Sequence, residues 1–251
     1  MRLSLKRSLG IIVRVSGLAA GRWKVPLAAL LVFAPVCASA ESLVSRYAVS
    51  LDGMRIGDAT LHTDLNAKRY KVQVSATFGI LLFSTQIQGH ASGARTGAKL
   101  TPEYFKMVSS GNDRDTMEVD FSNAAKAAHD GAEQLQGFFD PLSALLNASY
   151  KPQSRSNPCT AVLPIFTGRD IFVLELKPAP AGPEQTEPGL MLCQANLLQF
   201  VAGGTKSRQF KWKVAFTQSA RPHFWLVERV SLPTQSGILT IERTETSVSA
   251  H

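Results

Sequence analysis

The chain has 251 residues, of which 45% are hydrophobic and 18% are charged, and its formal net charge is +8. Six of its 27 lysines and arginines lie in residues 1–40, which hold none of the 19 aspartates and glutamates, so the remainder carries a net charge of only +2. Nucleic-acid binding requires a clustered basic face with stacking aromatic residues; the charges after residue 40 are interspersed, so we expect no nucleic-acid partner.

Residues 1–40 have the layout of a secretory signal peptide. A basic start is followed by an apolar run from Val25 to Val36 and then by Ala38-Ser39-Ala40. The run is shorter than the roughly 20 residues that cross a bilayer, so we expect cleavage before Glu41 rather than an uncleaved anchor. The sequence therefore predicts a periplasmic protein in which residues 41–251 form a single β-rich domain without a transmembrane segment.

The segments after residue 46 alternate apolar and polar residues, which is typical of β-strands with one buried and one solvated face. The alternation is clearest at residues 47–52, 70–77, 116–121 and 210–216. Short turn signals such as Asp-Gly and Gly-Gly separate these segments, which predicts an all-β antiparallel meander. Because a twisted sheet curls as it gains strands, we expect a half-barrel or barrel-like sheet with a concave face.

The stretch "GFFDPLSALLNAS", residues 137–149, is the one segment that reads plainly as a helix. Asp140 suits the N-cap position, and Pro141 suits the first helical turn, where no backbone donor is needed. We predict a short helix at about 140–147 that covers the concave face as a lid; a plain connector is the alternative. The lid residues would be Phe139, Leu142, Leu145 and Leu146, whose leucines share one helical face.

Two cysteines, Cys159 and Cys193, remain after the leader. In an exported chain an even pair of cysteines usually forms a disulfide. Neither the close spacing of a redox motif nor further metal ligands accompany them, so we predict a structural disulfide. The proline-rich segment 177–189 lies between the two cysteines. A domain boundary in that segment is the alternative, but a disulfide across it would tie the two sides together, which makes a boundary less favourable.

No catalytic, metal-binding or cofactor motif stands out in the sequence. The segment Gly89-His90-Ala91-Ser92-Gly93 has the wrong spacing for a nucleophile elbow. The acidic segment that begins at Asp113 has Glu118 at the position where a calcium loop requires glycine. The histidines after the leader are scattered singly. We therefore expect no bound metal, no cofactor and no enzymatic activity.

Several segments in order resemble the exported bacterial proteins grouped as domain-of-unknown-function family 3108. These segments are "YAVSLDGMRIGDATL" (47–61), "YKVQVSATFGILLF" (70–83), "LTPEYF" (100–105), "DRDTMEVDF" (113–121), "DPLSALL" (140–146), "TGRDIFVLEL" (167–176) and "FWLVERVSLPTQSGILTIE" (224–242). The resemblance implies an all-β envelope protein with no assigned activity and no catalytic residues to transfer. The predicted shape is also similar to the half-barrel of periplasmic lipoprotein carriers, which hold acyl chains between a concave sheet and covering helices.

This sequence favours two functions over a third, a hydrolase that acts on envelope material. In the first, the protein is a binding module that receives an apolar ligand or lipid on its concave face, lined by Phe78, Leu81, Phe83, Phe210, Trp212 and Phe216. In the second, it is an envelope-integrity scaffold with a filled core that acts through a protein partner, for example at an exposed sheet edge. The volume of the concave face distinguishes them, because a ligand module needs a roomy apolar cavity.

Overall fold

The structure is a computed structural model that describes residues 41–80, 83–111, 114–124, 137–150, 157–180, 189–200, 208–219 and 224–250. The expected signal peptide and Leu81 lie outside the described residues, and so does the side chain of Phe83. The predictions made for these positions stay predictions.

The described residues form twelve β-strands and two α-helices. The strands are β1 (Glu41–Leu51), β2 (Met54–Leu65), β3 (Arg69–Ile80), β4 (Phe83–Thr96), β5 (Lys99–Ser110), β6 (Asp115–Asp120), β7 (Val162–Phe166), β8 (Ile171–Pro178), β9 (Leu190–Phe200), β10 (Arg208–Gln218), β11 (Trp225–Thr234) and β12 (Gly237–Ala250). The helices are the single turn α1 (Phe121–Ala124) and the longer α2 (Pro141–Ser149), and a 3-10 turn occupies Pro158–Thr160.

All twelve strands belong to one antiparallel sheet in the order β6-β5-β4-β3-β2-β1-β12-β11-β10-β9-β8-β7. The first six strands run outward from the centre to one edge, and the last six return from the other edge to the centre. The two halves join where β1 pairs with β12, from Glu41 opposite Ala250 to Leu51 opposite Leu239. The predicted all-β antiparallel sheet with one short helix is therefore confirmed, and the sheet is curled but not closed.

Helix α2 lies on the chain between the two edge strands and packs against both halves of the sheet, namely against β3, β4 and β5 on one side and β7 and β11 on the other. Leu142 and Leu146 belong to a buried cluster in the first half, whereas Ala144 and Ala148 belong to a cluster in the second half. Among the described residues, no helix is long and apolar enough to cross a bilayer.

The start of α2 has the cap that the sequence predicts. One oxygen of Asp140, Oδ1, accepts hydrogen bonds from the backbone amides of Leu142 and Ser143 at 3.0 and 2.9 Å. Pro141 occupies the first turn, and the helix continues to Ser149, slightly beyond the predicted end. Below the cap, the buried Tyr70 hydroxyl lies 2.7 Å from Ser143 Oγ, and burial raises the pKa of Tyr70. These contacts fasten α2 to β3.

The two edges of the sheet are shielded by the protein's own chain. At β7, the Phe139 amide donates to Pro164 O and the Phe166 amide donates to Phe139 O, each at 2.8 Å. At β6, Arg169 from the β7–β8 turn contacts Asp115 at 2.8 Å and donates to a backbone carbonyl of the same strand. The β7–β8 turn can approach β6 closely because Gly168 has no side chain. A Cβ atom at this position would lie only 2.9 Å from a backbone carbonyl oxygen of β6.

Cys159 and Cys193 form a disulfide with a Cα–Cα distance of 5.2 Å, as predicted. Both residues are buried in the core of the second half. The bond links the 3-10 turn before β7 to β9. Strands β8 and β9, which precede and follow the proline-rich segment, also pair directly with each other.

Candidate ligand-binding site

The buried face of the sheet, which carries the core residues, is filled mainly by α2 and by core side chains. A cavity beside α2, between β1 and the start of β11, has a volume of about 20 Å³. That volume is enough for about one water molecule, whereas ligand pockets usually measure about 300 to 1,000 Å³. A lipid does not fit into this cavity as it stands.

The residues predicted to line a ligand site on the concave face lie in different surroundings. Phe216 is only 1% exposed and belongs to the core cluster of the second half, against which Trp212 also packs. Phe210, on the same strand, is 46% exposed. Phe78 is partly buried on β3, in the other half of the sheet. The structure thus brings Trp212 and Phe216 to one cluster and leaves Phe78 apart from them.

The predicted lid residues pack against the buried face. Leu142 and Leu146 are buried in the cluster of the first half, and Leu145 is partly buried against the cluster of the second half. Phe139 contacts both clusters. In this arrangement the predicted lid segment fills the space against the buried face of the sheet.

An open hollow of about 820 Å³ lies on the opposite, outer face of β9–β12. Because successive side chains of a strand point to opposite faces, the neighbours of core residues such as Val214 and Ile241 project outward. The register places Gln194, Lys213, Ser231 and Thr240 side by side on four adjacent strands. We call this hollow the basic hollow; its lining includes Pro180, Lys211, Trp212, Lys213, Arg229 and Ile238.

Among the described residues that line the basic hollow, cations outnumber carboxylates. Lys211 and Lys213 are two residues apart on β10, and Arg229 lies on the adjacent strand β11. One carboxylate, that of Glu242, belongs to the lining and stands 4.0 Å from the Arg229 guanidinium. The lining therefore favours a group of negative charge over a cation.

Apolar surface lies beside these charges. Trp212 also borders the hollow, but it lies on the same side of β10 as Val214, and its ring packs against the core. Ile238 is 53% exposed, and Pro180 and Pro233 complete the apolar part of the lining. A concave site with apolar walls and a few convergent charges is the usual form of a small-molecule site.

A buried polar atom lies next to the basic hollow on the same face. Asn196 pairs with Lys211 across β9 and β10 and is 9% exposed. Its Oδ1 atom has no hydrogen-bond partner among the described residues, although buried polar atoms are usually paired. Asn196 thus offers a further acceptor at the margin of the hollow.

The sequence indicated that Lys211 and Lys213 face solvent, but it did not reveal the hollow. Their proximity to Arg229 and Ile238 depends on which strands are neighbours, and alternation within one strand does not contain that information. A useful signal would have been three cations on the solvated faces of consecutive predicted strands.

Among the described residues, no three histidine, cysteine, aspartate or glutamate side chains form a group that could hold a metal ion. Glu118, from the acidic segment considered for calcium, faces outward and contacts Lys106 Nζ at 2.9 Å and the Tyr104 hydroxyl at 2.7 Å. Asp113 lies outside the described residues. The expectations of no metal, no cofactor and no enzymatic activity stay predictions.

Comparison with known proteins gives a family but no activity. No curated protein and no solved structure matches the chain. A family model described as "Protein of unknown function (DUF3108)" matches residues 46–188, which is more than half of the chain. The segment 224–242, which also contributed to the resemblance, lies beyond this match. The chain belongs to the DUF3108 family of proteins of unknown function.

Proposed function

We propose that this protein is a periplasmic binding module for an anionic amphiphile, a molecule with an apolar body and a carboxylate or phosphate head, held in the basic hollow. The observation that carries the proposal is the combination of three cations with apolar walls in an open space of about 820 Å³. The layout of residues 1–40 as a signal peptide supports export to a compartment that is rich in such molecules.

The charges would orient the ligand. The head would lie near Lys211, Lys213 and Arg229, where a carboxylate or phosphate accepts hydrogen bonds from ammonium and guanidinium groups. The apolar body would lie along Ile238, Pro180 and Pro233. Because the hollow is open to solvent, the ionic contacts are screened by salt, so affinity for the ligand should fall as ionic strength rises.

Titration with three alkyl probes of equal chain length tests the proposal. We expect dodecyl phosphate, used below its micelle concentration, to bind at least about tenfold more tightly than dodecanol or dodecyltrimethylammonium, because a charged hydrogen bond contributes about 1.5 to 3 kcal/mol. Isothermal titration calorimetry measures the affinities. Equal affinity for the three probes, or no binding of the phosphate, would contradict the proposal.

The matched variants separate the site from general charge. Lys211→Ala combined with Lys213→Ala should weaken dodecyl phosphate binding by about tenfold or more. Lys68→Ala combined with Lys71→Ala removes two exposed lysines outside the basic hollow, and should leave the affinity unchanged. An equal loss of affinity in the two variants would mean that binding depends on the net charge of the protein rather than on the basic hollow.

A scaffold that acts through a protein partner is the second candidate, and the filled buried face supports it. A partner that adds a strand needs an open sheet edge, whereas the edges at β6 and β7 are both contacted by the protein's own chain. Photo-crosslinking in cells from Ile238 and Met54, which are 53% and 60% exposed, tests this candidate. Reproducible capture of one protein, together with no binding of dodecyl phosphate, would favour the scaffold.

A further inference from the structure

A second concave region lies on the outer face of the other half of the sheet. It has a volume of about 510 Å³ and is formed by β2, β3, β4 and β5. We call it the polar groove; the lining residues that matter here are His62, Gln73, Ser75, Gln88, His90 and Lys106. None of these residues belongs to the basic hollow, so the groove raises a separate question about ligands.

The strand register arranges the side chains of the groove in two parallel rows. His62, Gln73, His90 and Lys106 lie opposite one another on four adjacent strands. The neighbouring row contains Thr60, Ser75, Gln88 and Val108. With strands about 4.8 Å apart, each row extends roughly 14 Å, which gives the groove an elongated floor of hydrogen-bonding groups.

The ionic groups of the groove are already compensated. Lys106 Nζ lies 2.9 Å from a Glu118 carboxylate oxygen. His62 Nε2 lies 3.1 Å from Asp64 Oδ1 and 2.6 Å from Ser42 Oγ. At His90, burial and then the nearby Lys71 charge lower the pKa, which favours the neutral imidazole. The groove therefore presents mainly neutral groups.

We propose that the polar groove binds a neutral oligosaccharide. Amide, hydroxyl and neutral imidazole groups each donate and accept hydrogen bonds, as do the hydroxyl groups of a sugar. Because its charged groups are already paired, the groove has no preference for an ion. Because few apolar side chains point outward there, it offers little contact surface to a lipid. His90, which lines the groove, forms a tilted ring pair with Tyr104, with centroids 5.2 Å apart, so an aromatic pair borders the groove.

Nuclear magnetic resonance of the chain without residues 1–40, labelled with ¹⁵N, tests the proposal directly. The side-chain amide signals of Gln73 and Gln88 report from within the groove. We expect these two signals to shift on titration with chitotetraose or maltotetraose at millimolar concentration. The signals of Gln194, in the basic hollow, should not shift with the sugars, so the result is independent of the amphiphile proposal.

Two variants on one strand provide the control. Gln88→Ala removes a side chain that lines the groove, and Gln86→Ala removes the same side chain two residues away on the same face, outside the lining. Both positions are exposed, so both proteins should fold. We expect Gln88→Ala to weaken sugar binding by about tenfold and Gln86→Ala to leave it unchanged.

Three outcomes would overturn the proposal. The first is the absence of any shift at Gln73 and Gln88 with both sugars. The second is an equal loss of affinity in the two glutamine variants, which would place binding elsewhere. The third is a shift of the same signals by tetra-alanine and not by the sugars, which would show that the groove takes an extended peptide.

Discussion

Arg243 and Glu228 meet at the point where β11 and β12 separate. The two strands pair from Arg229 and Glu242 down to their hairpin, whereas the residues beyond pair only with β10 or with β1. The Arg243 guanidinium donates to Glu228 Oε2 and also to the hydroxyls of Thr217 and Thr246. This network ties together strands that no longer share backbone hydrogen bonds.

We predict that Arg243→Met lowers the free energy of unfolding by about 3 kcal/mol, because it leaves the partly buried Glu228 carboxylate without its charged partner and with only the Thr217 hydroxyl as a donor among the described residues. Both side chains are less than a third exposed. Urea denaturation measures the change. The control is Arg46→Met, which removes an ion pair with Glu245 whose side chains are more than half exposed; its cost should be at most about 1 kcal/mol. Similar costs for the two variants would contradict this interpretation.

Asp140 makes stability depend on pH in a direction opposite to that of most carboxylates. Burial raises the pKa of Asp140 above its ordinary value of 3.8, more than its hydrogen bonds lower it. The folded protein therefore binds this proton more tightly than the unfolded chain does. Its contribution to stability is full below pH 3.8 and is lost as the pH rises through the raised pKa.

Asp140→Asn isolates this effect, because asparagine also serves as an N-cap but does not titrate. We predict that the free energy of unfolding of the variant, minus that of the natural protein, rises as the pH increases from about 4. Urea denaturation at a series of pH values measures this difference. A difference that is constant over that range, or that falls with pH, would show that Asp140 has no raised pKa.

At the scale of elements, the disulfide is the clearest case for a stability prediction. It closes a separation of 34 residues, and on the chain-entropy model such a bond contributes about 3 to 4 kcal/mol. We expect the double variant Cys159→Ser, Cys193→Ser to lose about that amount, measured by urea denaturation. Reductant should lower the melting temperature of the natural protein and should not change that of the variant. A natural protein whose melting is insensitive to reductant would contradict the prediction.

The sequence predicts the individual elements better than their arrangement. Alternation at Tyr70 and Val72 predicts a strand because it depends on neighbours along the chain, and the cap at Asp140 is local in the same way. The pairing of Glu41 with Ala250 joins the two ends of the described chain, and no local pattern encodes it. The basic hollow depends on the register between β9, β10, β11 and β12, and alternation within a single strand does not contain that register.

The position of α2 in the chain follows from the strand order. After β6 the chain has reached one edge of the sheet, and β7 starts at the other edge. Within this connection, α2 lies against the buried face, where unpaired backbone groups are costly. A helix satisfies its own backbone hydrogen bonds, and an apolar stripe suits it to that face. Helix α2 is therefore both the crossover and part of the core.

At the scale of the whole molecule, the two halves of the sheet should unfold together. They share the pairing of β1 with β12 and the packing of α2, so neither half keeps its core when the other is lost. Trp212 and Trp225 both lie in the second half and, without residues 1–40, are the only tryptophans. Their fluorescence therefore reports on the second half alone.

We predict that Phe105→Ala, a change in the first half, lowers the denaturation midpoint seen by tryptophan fluorescence as much as the midpoint seen by far-ultraviolet circular dichroism. Phe105 is 0% exposed, and truncating a buried phenylalanine costs about 3 to 5 kcal/mol. Coincident midpoints are the mark of a cooperative two-state transition. Fluorescence that keeps its original midpoint while the dichroism shifts would mean that the second half folds on its own, and that α2 and the β1–β12 pairing do not couple the halves.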